Sequence, residues 1–317
     1  MGTSTDLFRT LVNDDWHVHL PEIEQRLKQE LQGSKGFLKL IRSNLSIERS
    51  QAFDAKERSF ENVSIEELDW AVNKFATYML SYNSGIDVGI QYDLLKTMNE
   101  YPELRDFPFL KDACEFVFNP ANPMDSIRRL SAVILKIANQ SLSQASKSNA
   151  GNAGERIVRA MLLSVGLKRN QHYREQYRSK TGSDTDFAFP YVEDYNDSQL
   201  EVLVAVQMST NDRARLASSE LKHGVVCYVV TGNGLDASSK TLGAIGSQII
   251  ETYNQSNIRL VCYEPEIQNE IRRLENKLID NFNESDDRRL SYFKSHAISF
   301  KQFASSMQRF RGITARA

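Results

Sequence analysis

Cysteine is scarce in this chain: Cys114, Cys227 and Cys262 are the only three, and no two are spaced as CxxC. An odd, widely spaced set argues against a disulfide framework and against a zinc site built from paired thiolates. Cys227 and Cys262 lie in apolar runs, so the thiols are expected to be buried, as in a protein of the reducing, bacterial cytoplasm. Long hydrophobic runs are missing as well. No stretch approaches the roughly 20 apolar residues that a membrane-spanning helix needs. The opening MGTSTDLFRTLVNDD is polar and acidic, which predicts no secretion signal. Charge of one sign is absent too. The net charge of -2 and a pI of about 6.3 mean that a nucleic-acid surface, if there is one, must be a local patch. What remains is a globular composition, 41% hydrophobic and 25% charged over 317 residues, enough for one large or two ordinary domains.

Residues 1–145 read as a helical N-terminal domain. Pro21 is placed to open a helix. Ser64 followed by Glu67 is a capping box that starts an amphipathic run to about Tyr82. Ile127, Leu130, Ile134 and Ile137 recur at helical spacing. Trp16 and Trp70 are expected in this core, and His17 and His19 in a surface turn rather than a metal site. The small, polar stretch SLSQASKSNAGNAG over 141–154 reads as a hinge. From Glu155 a further helix carries Ile157, Val158, Met161, Leu162 and Val165 and ends at Gly166.

The central stretch is TGSDTDFAFPYVEDYNDSQLEVLVAVQ, residues 181–207. It reads as two strands joined by a polar turn. Asp186 heads the run that Pro190 closes, and Val202 to Gln207 form a nearly continuous apolar strand. Residues two apart on a strand share a face, so positions 205 and 207 point together and Asp186 can sit beside them. Strands at 225–230 and 258–263, with a helix between them, extend an α/β pattern and predict a central mixed sheet flanked by helices.

An Asp at the head of one strand, followed by acid-x-Lys near the end of the next, resembles the signature of the PD-(D/E)XK nuclease superfamily, which includes most type II restriction endonucleases. Gly154-Glu155 resembles the Gly-Glu helix that often precedes the two strands. Here the acid-x-Lys slot reads Ala205-Val206-Gln207. The resemblance covers roughly residues 150–265 and implies a restriction-endonuclease-like core over 146–281, with residues 282–317 as a basic C-terminal tail or helices. It implies Mg2+-dependent hydrolysis of duplex DNA phosphodiesters, leaving 5′-phosphates. Asp186 and Glu155 would be metal ligands, and Glu155, Asp186, Ala205 and Gln207 the catalytic positions. Mg2+ takes oxygen ligands, often one or two carboxylates, and the Gln207 amide can orient a water without supplying charge. Ala in the second acidic slot is incompatible with full activity. The chain is therefore expected to be a cleavage-impaired form whose natural residue is acidic, or a naturally degenerate site.

Basic residues flank the motif. Arg174, Arg178 and Lys180 lie just before it, and Asn211, Arg213 and Arg215 just after it. Each can be a DNA contact or a solvated charge on an edge strand or helix start. Glu220-Leu221-Lys222 is a literal acid-x-Lys outside the second strand and reads as a decoy. Residues 288–317 carry seven Arg and Lys side chains, no acid and five interleaved aromatics, which suits either a DNA-facing arm or a packed helix pair. The expectation is a homodimeric type II restriction endonuclease acting on a palindromic duplex site. The alternatives are a repair or phage-defence nuclease of the same fold and a non-catalytic DNA-binding relative.

Overall fold

The computed structural model describes residues 4–13, 16–32, 35–92, 94–180, 184–207, 225–235 and 240–313. The protein is α/β, with a mixed six-stranded sheet and extensive helix. It divides into two compact units, Met1–Phe53 with Ser81–Asn149 and Asp54–Leu80 with Ala150–Ala317. The units are thus interleaved in sequence rather than consecutive. The hinge expected over 141–154 is helix instead: α7 runs unbroken from Met124 to Ser164. Small polar residues are weak helix formers but do not break a helix as Pro does.

The first unit is helical. It contains α1 (Ser4–Arg9), α2 (Trp16–Leu31), α5 (Leu94–Glu100), α6 (Pro108–Phe118), and parts of α3 (Phe37–Arg58), α4 (Leu68–Tyr92) and α7. Its core follows helical spacing, with Ile23, Leu27 and Leu31 on α2 and Leu130, Ile134 and Ile137 on α7 all fully buried. Phe8 packs its ring on Phe109 and Phe116, at 5.0 and 5.5 Å between centroids. Three expectations need correction. Pro21 lies inside α2, which begins at Trp16. His17 and His19 lie in that helix, not in a turn. Trp16 packs against the core as expected, but Trp70 is 58% exposed, with the Lys74 ammonium 4.3 Å over its ring.

The sheet belongs to the second unit, and its order is β1 (Arg174–Arg178), β2 (Asp184–Phe189), β3 (Val202–Gln207), β4 (Val226–Thr231), β5 (Arg259–Cys262), β6 (Ala297–Ser299). β1, β2 and β3 are antiparallel neighbours, and β3 to β6 run parallel. One face carries Ala188, Leu203, Cys227 and Leu260 against Tyr253 and Tyr292. These tyrosines come from α8 (Ser247–Gln255) and α10 (Glu284–His296), with α9 (Glu264–Asp280) between them in the chain. Phe187, Phe189 and Tyr228 serve the other face, where Phe310 stacks on Phe189 at 5.3 Å and Phe303 meets Tyr228 at 5.2 Å. The C-terminal aromatics are therefore core. Tyr292, Phe293, Phe300, Phe303 and Phe310 are all buried, β6 joins the sheet, and α11 (Phe300–Met307) packs on it. Of the two readings of this stretch, residues 288–313 show the packed-helix arrangement. The three cysteines are free and buried. Among the described residues, no helix is long and apolar enough to cross a membrane.

Two caps fix this unit. α7 ends in a glycine motif in which Gly166 takes φ +76° while its N–H bonds Leu163 O and that of Leu167 bonds Leu162 O. Asp69 on α4 caps α11, its Oδ1 accepting from the Phe300 N–H at 2.8 Å and the Lys301 N–H at 3.4 Å. Its Oδ2 is buried and has no partner. Burial pushes the carboxyl up to about 6, although the two backbone donors pull it back. A raised carboxyl favours the folded state while protonated. That contribution is lost as pH rises through about 6. Asp69→Asn should therefore gain thermal stability over the parent between pH 5 and 7.5. Parallel melting curves for the two proteins across that range would refute the assignment.

Candidate functional site

The pairing of β2 with β3 sets the site. Phe187 lies opposite Val204 and Ala188 opposite Leu203, and the same register puts Asp186 opposite Ala205. The Asp186 carboxylate then accepts from the Val206 N–H at 2.7 Å. Asp186 is thus fixed beside position 205, two residues along β3 from Gln207. Ala205 is half-buried and lies across from Val229 of β4. Gln207 is only 5% exposed, and its Oε1 accepts from the Tyr253 hydroxyl at 3.1 Å. Its amide NH2 is the group left to act as donor.

Glu155 comes from α7. Its Oε1 accepts from Gln176 Nε2 at 3.0 Å, and Arg159 lies 3.9 Å from its Oε2. Burial raises the Glu155 carboxyl, the charge of Asp186 raises it further, and Arg159 works against both. The charge of Asp186 thus disfavours the ionised form of Glu155. The local charge of such a pair is relieved by a cation. Two hard oxygen donors fit Mg2+, which commonly takes one or two carboxylates and fills its shell with water and phosphate. Among the described residues no group of three or more His, Cys, Asp and Glu side chains gathers as a metal-binding cluster.

Behind Glu155 lies an ion-pair network. Arg159 meets Glu57 at 3.1 Å and Glu175 at 3.3 Å, and Arg169 also reaches Glu175 at 3.2 Å. Arg156 binds Asp54 at 2.6 Å and Glu57 at 3.0 Å. Burial raises Glu57 in spite of both arginines. Sequence reasoning missed Arg159, although its i+4 spacing from Glu155 was a usable signal. It also missed Gln176 and Tyr253, for which the linear sequence carries no motif.

The expected DNA contacts divide. Asn211, Arg213, Arg215 and the Glu220-Leu221-Lys222 triplet lie outside the described residues. Arg174 is engaged by Asp194 at 2.8 Å and Glu193 at 3.3 Å, so acids of the β2–β3 connection offset its charge. Arg178 is exposed, with Asp184 at 3.4 Å, and Lys180 is exposed. β1 is indeed an edge strand bearing charges, the arrangement that discourages edge-to-edge pairing. Comparison of the chain with protein-family models, with curated proteins and with solved structures finds no match.

Proposed function

We propose that the second unit is a PD-(D/E)XK-type nuclease core and that the chain is a type II site-specific deoxyribonuclease in cleavage-impaired form. The observation that carries the reading is the Asp186 carboxylate, held on the Val206 N–H beside position 205 and close enough to Glu155 to raise it. The mixed sheet, the antiparallel pairing of the two motif strands and the preceding Glu155 helix support a restriction-endonuclease-like fold.

Asp186 and Glu155 would hold the Mg2+ ion, which when bound polarises a phosphate and acidifies a water. Gln207, anchored through its oxygen by Tyr253, would orient that water with its amide N–H2. Ala205 supplies no oxygen, so the cation is held by fewer ligands and cleavage is weak. Duplex DNA would bind along the exposed Arg178 and Lys180 edge and the segment carrying Asn211, Arg213 and Arg215. A homodimer would match a palindromic site. A second reading rests on Ala205 itself: a DNA-binding relative that has no need of cleavage.

The test is a digest of a sequenced plasmid by the Ala205→Glu variant with Mg2+. Fragments ending at one short repeated sequence are expected. Cuts confined to structured or modified DNA would move the reading to a repair or defence nuclease. No cleavage of any duplex by a folded variant would leave the DNA-binding reading.

A further inference from the structure

Gln176 is an anomaly in β1. It takes φ +51° within a strand, a left-handed conformation that costs a non-glycine residue about 1 kcal/mol or more. The pairs on either side of it, Glu175 with Phe187 and Tyr177 with Thr185, keep one register. That register sets Gln176 across from Asp186, just as the next one sets Asp186 across from Ala205. The side chain of Gln176 donates from Nε2 to Glu155 Oε1 at 3.0 Å. A residue in a strained conformation therefore lies across from one carboxylate of the candidate site and donates to the other.

The strain also has a structural consequence. Glu175 pairs with Phe187, whose ring meets Tyr173, whereas Tyr177 belongs to the buried cluster that holds Ala188 and Leu203. Buried residues two apart in one strand normally share a face, and here they serve opposite sides. The backbone turn at Gln176 accounts for that reversal. It does not account for the residue type. Glycine would take the same φ without strain, and Asn or Asp would take it more readily than Gln. What Gln adds is an amide at the end of a longer arm, and that amide is spent on Glu155.

We propose that Gln176 is a positioning residue of the cation site, holding Glu155 in the orientation that lets it share a divalent ion with Asp186. The assignment rests on the nuclease reading given above. One oxygen of Glu155 is fixed by the neutral Gln176 amide, which leaves the charge of the carboxylate intact. The other faces Arg159 at the longer distance of 3.9 Å. Partners that orient a metal-binding carboxylate without touching the metal typically contribute about 10- to 100-fold to affinity.

The experiment is Mn2+ binding, followed by the loss of its free-ion electron paramagnetic resonance signal, together with thermal melting. Both are measured on the full-length chain and on its Ala205→Glu variant, each with Glu155→Gln, Asp186→Asn, Gln176→Ala or Gln176→Gly added. Gln176→Gly keeps the left-handed turn and deletes the amide. It should melt at or above the parent temperature yet bind Mn2+ about tenfold more weakly. Gln176→Ala should lose the same affinity and also some stability. With Glu155→Gln already present, Gln176→Gly should cost no further affinity, because there is no carboxylate left to orient. If Mn2+ binding depends on Glu155 and Asp186 but Gln176→Gly binds as tightly as the parent, Gln176 is only a turn residue and the nuclease reading stands. If neither background binds Mn2+, or if Asp186→Asn leaves binding unchanged, the cation site and this assignment fall together.

Discussion

Ala205→Glu is expected to melt below the parent chain in the absence of divalent cation, to recover when Mn2+ or Mg2+ is added, and to cleave duplex DNA at least ~10³-fold faster, about 4 kcal/mol of barrier. Residue 205 is half-buried, lies between Asp186 and Val229 in the sheet, and packs against the aromatic face that holds Tyr253. A carboxylate there is placed beside Asp186 with little water, so like-charge repulsion and desolvation both oppose folding. The same proximity would let the pair hold a cation, as the proposed nuclease reading requires. Ligand binding at a hundredfold excess over Kd returns about 2.7 kcal/mol, enough to offset a cost of that order. Adding Asp186→Asn should relieve the repulsion, abolish the cation-dependent rise in melting temperature and abolish cleavage. A variant that melts with the parent and ignores cations would mean that side chains at 205 and 186 do not meet.

The largest effect on stability is expected at Arg289, far from any motif. This guanidinium is 5% exposed. It donates to Glu270 Oε1 at 2.9 Å, to the Ile245 carbonyl at 2.5 Å and to the Leu242 carbonyl at 2.8 Å. Arg289→Ala strands two buried carbonyls and leaves the buried Glu270 carboxylate with Arg273 alone. Breaking a buried pair from one side typically costs about 3–5 kcal/mol, and the melting temperature should fall by roughly 10 °C. Burial alone would raise Glu270, yet hydrogen bonds from Arg273 and the charge of Arg289 hold it below the usual carboxylate range. A lowered carboxyl stabilises the fold at neutral pH and loses that contribution as pH falls through its folded value. The gap between parent and variant should therefore narrow in acid, below about pH 4. A gap that stays constant down to pH 3 would show that the lost packing, not the ion pair, sets the cost.

The reach of the sequence can be judged residue by residue. The β2–β3 pair was legible because its two apolar runs are bounded by turn residues, and Asp186 was legible because it heads one of them. The pattern of Ile127, Leu130, Ile134 and Ile137 fixed a helix face, since periodicity reports burial directly. The helix through 141–154 was missed because SLSQASKSNAGNAG has the composition of a linker, although the boundary between the two units does fall within it, between Asn149 and Ala150. Trp70 was misplaced because a large apolar side chain on a helix can lie under a lysine at the surface. The C-terminal aromatics left two readings open, since basic residues between buried rings look the same in sequence whether the rings face DNA or a sheet. Gln176 was invisible for a different reason. Its positive φ belongs to the folded backbone, and no local pattern in the sequence encodes it.

The bond from Asp69 to the Phe300 N–H joins residues 231 positions apart, and β6 enters the sheet only at 297–299. Synthesis proceeds from the N-terminus, so α4 waits through most of translation for the helix it caps. Until the last stretch clears the ribosome, Phe189 and Tyr228 have no Phe310 or Phe303 to cover them. From the emergence of β4 until Phe303 and Phe310 follow, the nascent chain thus carries an aromatic sheet face not yet covered by its C-terminal rings, an interval in which aggregation competes with folding.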